Sequence, residues 1–423
     1  GELMAMLVAG GRTAEAIAVA RRGRARTLSD LRAEEPWQAS RDEQRRAWES
    51  AAARFLAARD RLEKTVVRRW TLAGTDLARG QSAEPPHAHE ASRAHAALAE
   101  ALAVVSRAQR AANMPLASPG SGEVILGYHP MARAPNGRTS WMAYAVSANA
   151  VATARLGAID VSAAKAEQAA QLLGPFDALI GKARRVRVLD YGPLVDVDFH
   201  ALPYRGEALG VHRRIVYSLD LPPASSRLGP TVARSILVMG DPTGSLPAAR
   251  REGEAVAAVL GQRRPGVVSL LGPQGEPGTN LRRLLPRADL FHYAGHGRFA
   301  AADGVGSALT LADGALLRLT DVLALAPSGV PRQVVLSGCE TGRRGAKAGA
   351  GLGLAQAFVL VGSEEVVATA RDVGDEVAGR LSIRMHEHAR QTGDLAEALH
   401  LAQNQLSKEA PLADWAAFRV IVP

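Results

Sequence analysis

The sequence holds a single cysteine, Cys339, in 423 residues. That scarcity excludes an internal disulfide framework and any zinc site built on several cysteines. It leaves two roles for the residue, an inert buried hydrophobe or a nucleophile. Lysine is nearly as sparse, at Lys64, Lys165, Lys182, Lys347 and Lys408, so the net charge of +9 rests on arginines scattered through every segment. Aromatic residues make up 4%. Few stacking platforms and no basic cluster argue against nucleic acid as a direct ligand. No apolar run reaches the roughly 18 residues of a membrane span, and the nearest, 352–362, is too short. No basic-then-apolar leader opens the chain, which points to a cytoplasmic protein without a membrane partner. Gly1 is not an initiator methionine and the first residues already read as helix, so a longer natural chain is expected.

What is present has a clear order. Residues 3–28 read as two short helices around Gly10-Gly11, with Ala14, Ile17, Ala18 and Arg21 at helical spacing. The pair resembles the end of a tetratricopeptide array, and residues 1–30 are assigned to it. Residues 31–114 read as a helical linker or stalk, with helices over 41–79 and 91–112 separated by Pro85-Pro86. After the Ser118-Pro119-Gly120-Ser121-Gly122 linker the character changes. Strands are expected over 123–128, 140–146, 186–189 and 214–219. From Ser235 onward short apolar strands alternate with helices, the pattern of a mostly parallel sheet covered on both faces.

Two strand ends carry the chemistry. The strand 289–293 runs into Ala294-Gly295-His296-Gly297, and the strand 334–336 runs into Ser337-Gly338-Cys339-Glu340-Thr341-Gly342. In open α/β sheets reactive groups sit beyond the carboxyl ends of the strands. A thiol is mostly protonated at neutral pH, so a cysteine nucleophile needs a base beside it, and His296 fits that need. The backbone N–H groups of Gly297 and Cys339 are the natural donors to an oxyanion. A lone strand-ending cysteine is usually structural, but its pairing with a histidine turn on the neighbouring strand argues for catalysis. Other signals read as bland. His386 and His388 are two apart on a helix and read as a solvated pair. Residues 349–353 lack the lysine and hydroxyl of a phosphate loop. No Gly-x-Ser-x-Gly elbow supports a serine hydrolase, and neither a metal nor a cofactor is expected.

These segments resemble the CHAT family of caspase-like cysteine peptidases, relatives of separase and the caspases. His292-Tyr293-Ala294-Gly295-His296-Gly297 looks like the family's His-Gly box and Leu336-Ser337-Gly338-Cys339-Glu340-Thr341-Gly342 like its Cys-Glu-Thr-Gly box. Weaker matches are His200-Ala201-Leu202-Pro203-Tyr204, the stretch from Gly240-Asp241-Pro242 to Glu252, and Trp415-Ala416-Ala417-Phe418. The resemblance, over residues 120–423, implies a caspase-like α/β sandwich whose mostly parallel central sheet is flanked by helices. It implies an N-terminal, pseudo-caspase-like subdomain at 120–230 and a catalytic subdomain at 231–423. It also implies a His296–Cys339 dyad with Gly297 in the oxyanion hole, acting on a protein substrate. Tetratricopeptide repeats often precede this domain, so a protein activator binding the N-terminal helices is expected, with the glycine-rich run 341–353 as the switch. A catalytically silent scaffold is the alternative. Arg371 stands where relatives often have tryptophan. Asp375, then Asp372, are the expected pocket acids, favouring cleavage after Arg or Lys, whereas Arg371 turned into the pocket would favour the reverse.

Overall fold

A computed structural model of the chain describes residues 2–29, 116–133, 139–221, 235–262, 266–273, 279–299, 307–323, 329–343, 353–409 and 412–423, with single positions between them. The expected helices over 41–79 and 91–112 and most of the run 341–353 lie outside the described residues. Gly1–Ser29 and Met114–Pro423 form one compact unit. Among the described residues no helix is long and apolar enough to cross a membrane.

Eleven strands form one sheet. In chain order they are β1 (Glu123–Arg133), β2 (Thr139–Ser147), β3 (Val151–Leu156), β4 (Arg185–Leu189), β5 (Arg214–Ser218), β6 (Ser235–Gly240), β7 (Val267–Leu271), β8 (Ala288–Ala294), β9 (Gln333–Ser337), β10 (Glu365–Thr369) and β11 (Phe418–Val422). Their spatial order is β3-β2-β1-β4-β5-β11-β10-β9-β8-β6-β7. Neighbours are parallel except at β1/β2, β2/β3 and β10/β11. The expected mostly parallel sheet flanked by helices is therefore present. β11 runs parallel to β5 but antiparallel to β10, so the two halves of the sheet point in opposite directions and meet at this strand. β9 reads QVVLS and is buried along its whole length, as a strand covered on both faces must be.

Helices among the described residues include α1 (Glu2–Ala9), α2 (Thr13–Ser29), α3 (Lys165–Leu172), α4 (Pro247–Gly261), α5 (Leu354–Leu360), α6 (Asp375–Thr392) and α7 (Leu395–Leu406). α4 starts cleanly because Pro247 occupies its first turn and the Leu246 N–H donates to Asp241 Oδ1 at 2.9 Å. It buries Ala249, Glu252, Gly253, Val256, Val259 and Leu260, one stripe at helical spacing. Val256 and Leu260 of that stripe, with Ile383 of α6, pack on Ile236, Val238 and Leu290. α7, capped by Asp394 accepting from the Glu397 N–H, seats Leu395, Leu399 and Ala402 against Val367 and Val420. Alternation along β8 sends Phe291 towards Phe358 of α5 and His292 towards α6.

The N-terminal helix pair exists, but it packs on the sheet. Met4, Leu7, Ile17 and Ala20 join Ile125, Met142 and Tyr144 in one cluster. α1, at 8 residues, is too short to be stable alone in water, and each buried Leu, Ile or Met of the pair contributes about 1.5–3 kcal/mol. The pair is thus a cover for the sheet among the described residues.

Candidate active site

The two turns named from sequence meet. β8 and β9 lie side by side in parallel, with Ala294 opposite Ser337. The Gly295 N–H donates to the Ser337 carbonyl at 3.3 Å as the ladder ends. Beyond it the turns touch through bare α-carbons. A methyl group on Gly297 would lie 2.4 Å from the Cys339 carbonyl oxygen, and one on Gly338 would lie 2.5 Å from the Gly295 carbonyl oxygen. Both distances are sterically forbidden, so glycine here is a packing requirement as well as access for a substrate backbone. Gly297→Ala is accordingly expected to cut turnover by about a hundredfold, the loss typical of a displacement near 1 Å at a reacting centre. Peptide hydrolysis by the variant checks this, and more than a tenth of wild-type activity would show that the methyl group is taken in without displacing the two turns.

The turn carrying Cys339 is fastened to the end of β10. Thr369 Oγ1 donates to the Gly338 carbonyl at 2.5 Å, and the Gly342 N–H donates to the Thr369 carbonyl at 2.7 Å. The buried Thr341 hydroxyl lies 2.9 Å from the Leu336 carbonyl and 3.0 Å from that of Gly338, and donates into this turn. Glu340 takes a left-handed φ of 56° and pairs with Arg343. That conformation costs a non-glycine residue about 1–2 kcal/mol, so the residue after the cysteine is strained.

Cys339 is exposed, and its thiol sits beside the loop following β10. Partial burial raises its pKa, the Asp372 carboxylate raises it further by charge and by accepting the S–H, and the Val373 N–H acts in the opposite direction. The thiol form is therefore favoured at neutral pH. Removing the acid in Asp372→Asn should lower the thiol pKa, so thiolate appears at lower pH. Alkylation of Cys339 by iodoacetamide at pH 7 should then run several-fold faster, each tenfold gain in thiolate being worth roughly threefold in rate because nucleophilicity falls with basicity. An unchanged pH–rate curve would remove Asp372 from the thiol's surroundings.

His296 is also exposed, and its Nε2 lies 2.9 Å from Ser245 Oγ, which lies 2.7 Å from Thr243 Oγ1. With Nε2 engaged by Ser245, Nδ1 is the ring nitrogen left to face another group. The Tyr293 hydroxyl, 2.9 Å from the His296 carbonyl and 2.7 Å from that of Thr310, fixes the backbone of this turn. Ser245 and Thr243 belong to the loop after β6, whose Asp241 N–H donates to the Ala294 carbonyl at 2.8 Å. Sequence reading missed both, and only the adjacency of β6 and β8 brings them here. A cleft of about 180 Å³ opens between the turns, lined by His296, Cys339, Val373 and Asp375 and reaching down to Glu252 and Ser337. Of the expected pocket residues, Asp375 lines this cleft and Asp372 touches the thiol. Arg371 does not join them: it pairs with Asp198 at 2.7 Å and lines a separate cleft with Arg343 and Arg419.

The CHAT domain matches residues 163–423, more than half of the sequence. The chain belongs to the CHAT family. The match takes in β4 to β11 and the turns carrying His296 and Cys339 and leaves the N-terminal helix pair outside, so the tetratricopeptide-like reading gains nothing from it. No curated protein matches this CHAT chain. Similar solved structures include a chain of the Saccharomyces cerevisiae separase–securin complex, at 13% identity and a TM-score of 0.40, covering 57% of this chain and 16% of that one. The Arg-specific cysteine proteinase gingipain R is similar at 11% identity and a TM-score of 0.39, covering 57% and 63%. This CHAT chain therefore spans only a small part of the first of these relatives.

The expected solvated pair on α6 is corrected. His386 is fully buried and lies against His292, and burial holds its pKa well below the ordinary histidine value. Its position one step from Met385 and four from Ser382 puts it on the buried stripe of the helix.

Proposed function

We propose that this protein is a cysteine endopeptidase in which Cys339 attacks a peptide carbonyl and His296 moves the proton. The observation that carries the reading is the contact of the two glycine-flanked turns, which leaves an exposed thiol and an exposed imidazole on either side of one cleft. His296 takes the thiol proton at Nδ1 while its Nε2–H stays on Ser245. The thiolate adds to the carbonyl carbon, and the N–H groups of Gly297 and Cys339 receive the oxyanion. The leaving amine departs with the proton from His296, and water then hydrolyses the thioester with the same imidazole as base.

The chain would be switched on by a protein partner acting through its N-terminal helices. Support comes from the strained Glu340 and from the partial burial and the Asp372 carboxylate that together raise the pKa of the thiol. A second reading, a silent interaction module, draws on the same protonated thiol. Labelling decides between them. A peptide bearing an electrophilic ketone should modify Cys339 in the wild type and not in His296→Ala, and equal labelling of both would favour the silent module.

A further inference from the structure

A second cleft, of about 230 Å³, opens on one face of β11. Residues two apart on a strand share a face, so Arg419 and Ile421 both line it. Phe418, Val420 and Val422 pack on the other face, with Leu395 and Leu399 of α7. Val195, Leu219 and Ile421 give the cleft an aliphatic side. Gln356 of α5 also lines it, is 3% exposed, and has no hydrogen-bond partner for its Oε1. The buried Arg419 guanidinium donates from Nη1 to the Val195 carbonyl at 3.2 Å and from Nη2 to the Val197 carbonyl at 3.3 Å. It lies over the Tyr217 ring, and its Nε is unpartnered. Several other arginines share that last trait, so the diagnostic atom is Gln356 Oε1.

Charge and size define what would satisfy these groups. A buried carbonyl left unmatched is uncommon and costly, and one facing a cleft marks a place for an incoming donor. Arg343, Arg371 and Arg419 stand on the wall together with Asp190 and Asp196. A purely anionic group meets the aspartates and a purely cationic one the arginines, whereas a group of both signs finds a partner for each. An ammonium supplies the donor that Gln356 Oε1 lacks, and a carboxylate supplies the acceptor that Arg419 Nε lacks. The volume falls below the roughly 300–1,000 Å³ of sites for drug-sized ligands. It is too small for a nucleotide and leaves room for an amino acid.

We propose that this cleft binds a free α-amino acid with an aliphatic side chain and serves as an effector site for the Cys339 turn. The ammonium donates to Gln356 Oε1, the carboxylate accepts from Arg419, and the side chain lies along Val195, Leu219 and Ile421. The same wall reaches the nucleophile's turn from two directions. Gly342 and Arg343 line the cleft and follow Cys339-Glu340-Thr341 directly. Ala370 and Arg371 line it as well and follow Thr369, whose carbonyl accepts from the Gly342 N–H at 2.7 Å. A bound amino acid thus restrains both segments that hold the turn. The proposal stands apart from the peptidase reading, since it needs only the thiol and not its catalysis.

Binding is read on the full chain as the rise of the thermal unfolding midpoint with L-leucine concentration. Glycine keeps only the head group and should need about tenfold more, as burial of the leucine side chain implies. N-acetyl-leucine lacks the ammonium and leucinamide the carboxylate. Each should bind about 10- to 100-fold more weakly, the range for one charge-assisted contact. Gln356→Leu should weaken leucine binding by a similar factor of about 10 to 100. Its midpoint without ligand should be no lower than that of the wild type, because the change removes an unmatched buried carbonyl. A merely structural glutamine would lose stability instead. Should Gln356→Leu not fold, Arg343→Met at an exposed position decides, by weakening leucine about threefold, the worth of an exposed charge. Alkylation of Cys339 by iodoacetamide should change in rate with the same leucine dependence as the midpoint. An unchanged rate in the leucine-bound chain overturns the effector role. Binding of acetyl-leucine or leucinamide as tight as that of leucine overturns the assignment to a free amino acid, in favour of a peptide's carboxyl or amino end. The absence of any midpoint shift with leucine overturns the site itself, as does full binding in a folded Gln356→Leu. Peptide cleavage enters none of these measurements, so failure to cleave sinks the peptidase reading alone.

Discussion

Cys339→Ala is expected to lower peptide hydrolysis by at least about ten-thousand-fold, the scale seen when a covalent nucleophile is removed, while leaving the fold intact. The separation of the two effects follows from where the side chain sits. Cys339 is exposed, and the turn around it is held by Thr341, Thr369 and backbone groups, so losing the sulfur opens no cavity and orphans no buried group. No second thiol exists in the chain to take over. His296→Ala should match it, because the exposed imidazole gives up only its bond to Ser245. The measurements are cleavage of a peptide mixture and the thermal unfolding midpoint of each variant. Retained hydrolysis in Cys339→Ala would place the chemistry elsewhere.

The second large effect is on stability. Arg21 of α2 is 5% exposed; its Nε donates to Asp220 Oδ2 at 2.8 Å, and its Nη2 to Oδ1 at 2.5 Å and to the Ala117 carbonyl at 2.6 Å. Burial opposes the guanidinium charge, yet the paired Asp220 carboxylate outweighs it and the pKa of Arg21 rises. Asp220 itself is buried, in a left-handed turn at φ 60° just past β5. Arg21→Ala would leave that carboxylate uncompensated, and breaking a buried pair from one side costs about 3–5 kcal/mol. Urea unfolding of the full chain should show a loss of this size, and the double variant Arg21→Ala/Asp220→Asn should recover part of it. A loss below about 1 kcal/mol, the level of an exposed pair, would mean that the site takes in water. The contact joins the N-terminal helices to the end of β5.

The strand ends were legible because each short apolar run stops at a glycine-flanked reactive residue. β8 and β9 fall within a residue of the expected spans, and they pair in parallel as the alternation of strands and helices implies. β3 was not legible: Val151–Leu156 is an edge strand with mostly half-exposed residues, so its sequence carries little alternation. His386 misled because two histidines two apart look unrelated, whereas the stripe Leu381, Ser382, Met385 was there to include it. Arg371 misled through adjacency. It precedes Asp372 in sequence, but Asp198 draws it away from the cleft that Asp375 lines. Ser245 and Thr243 were beyond reach for a different reason. Both come from the loop after β6, and the order of strands in a sheet is a long-range property that local pattern does not encode.

β11 comes after every other strand of the sheet in the sequence, yet it lies at the centre, between β5 and β10. During synthesis the chain must therefore carry two half-sheets, each with an open inner edge, until residues 418–422 emerge. Open edges of β-branched strands invite pairing with other chains, and contacts this distant in sequence form slowly. β10 gains its second neighbour only when Phe418 aligns with Thr369, the residue whose hydroxyl holds the Gly338 carbonyl beside Cys339. A partly made chain thus exposes its thiol on a turn whose anchor is still loose, and the geometry of the Cys339 turn is completed by the strand made last of the eleven.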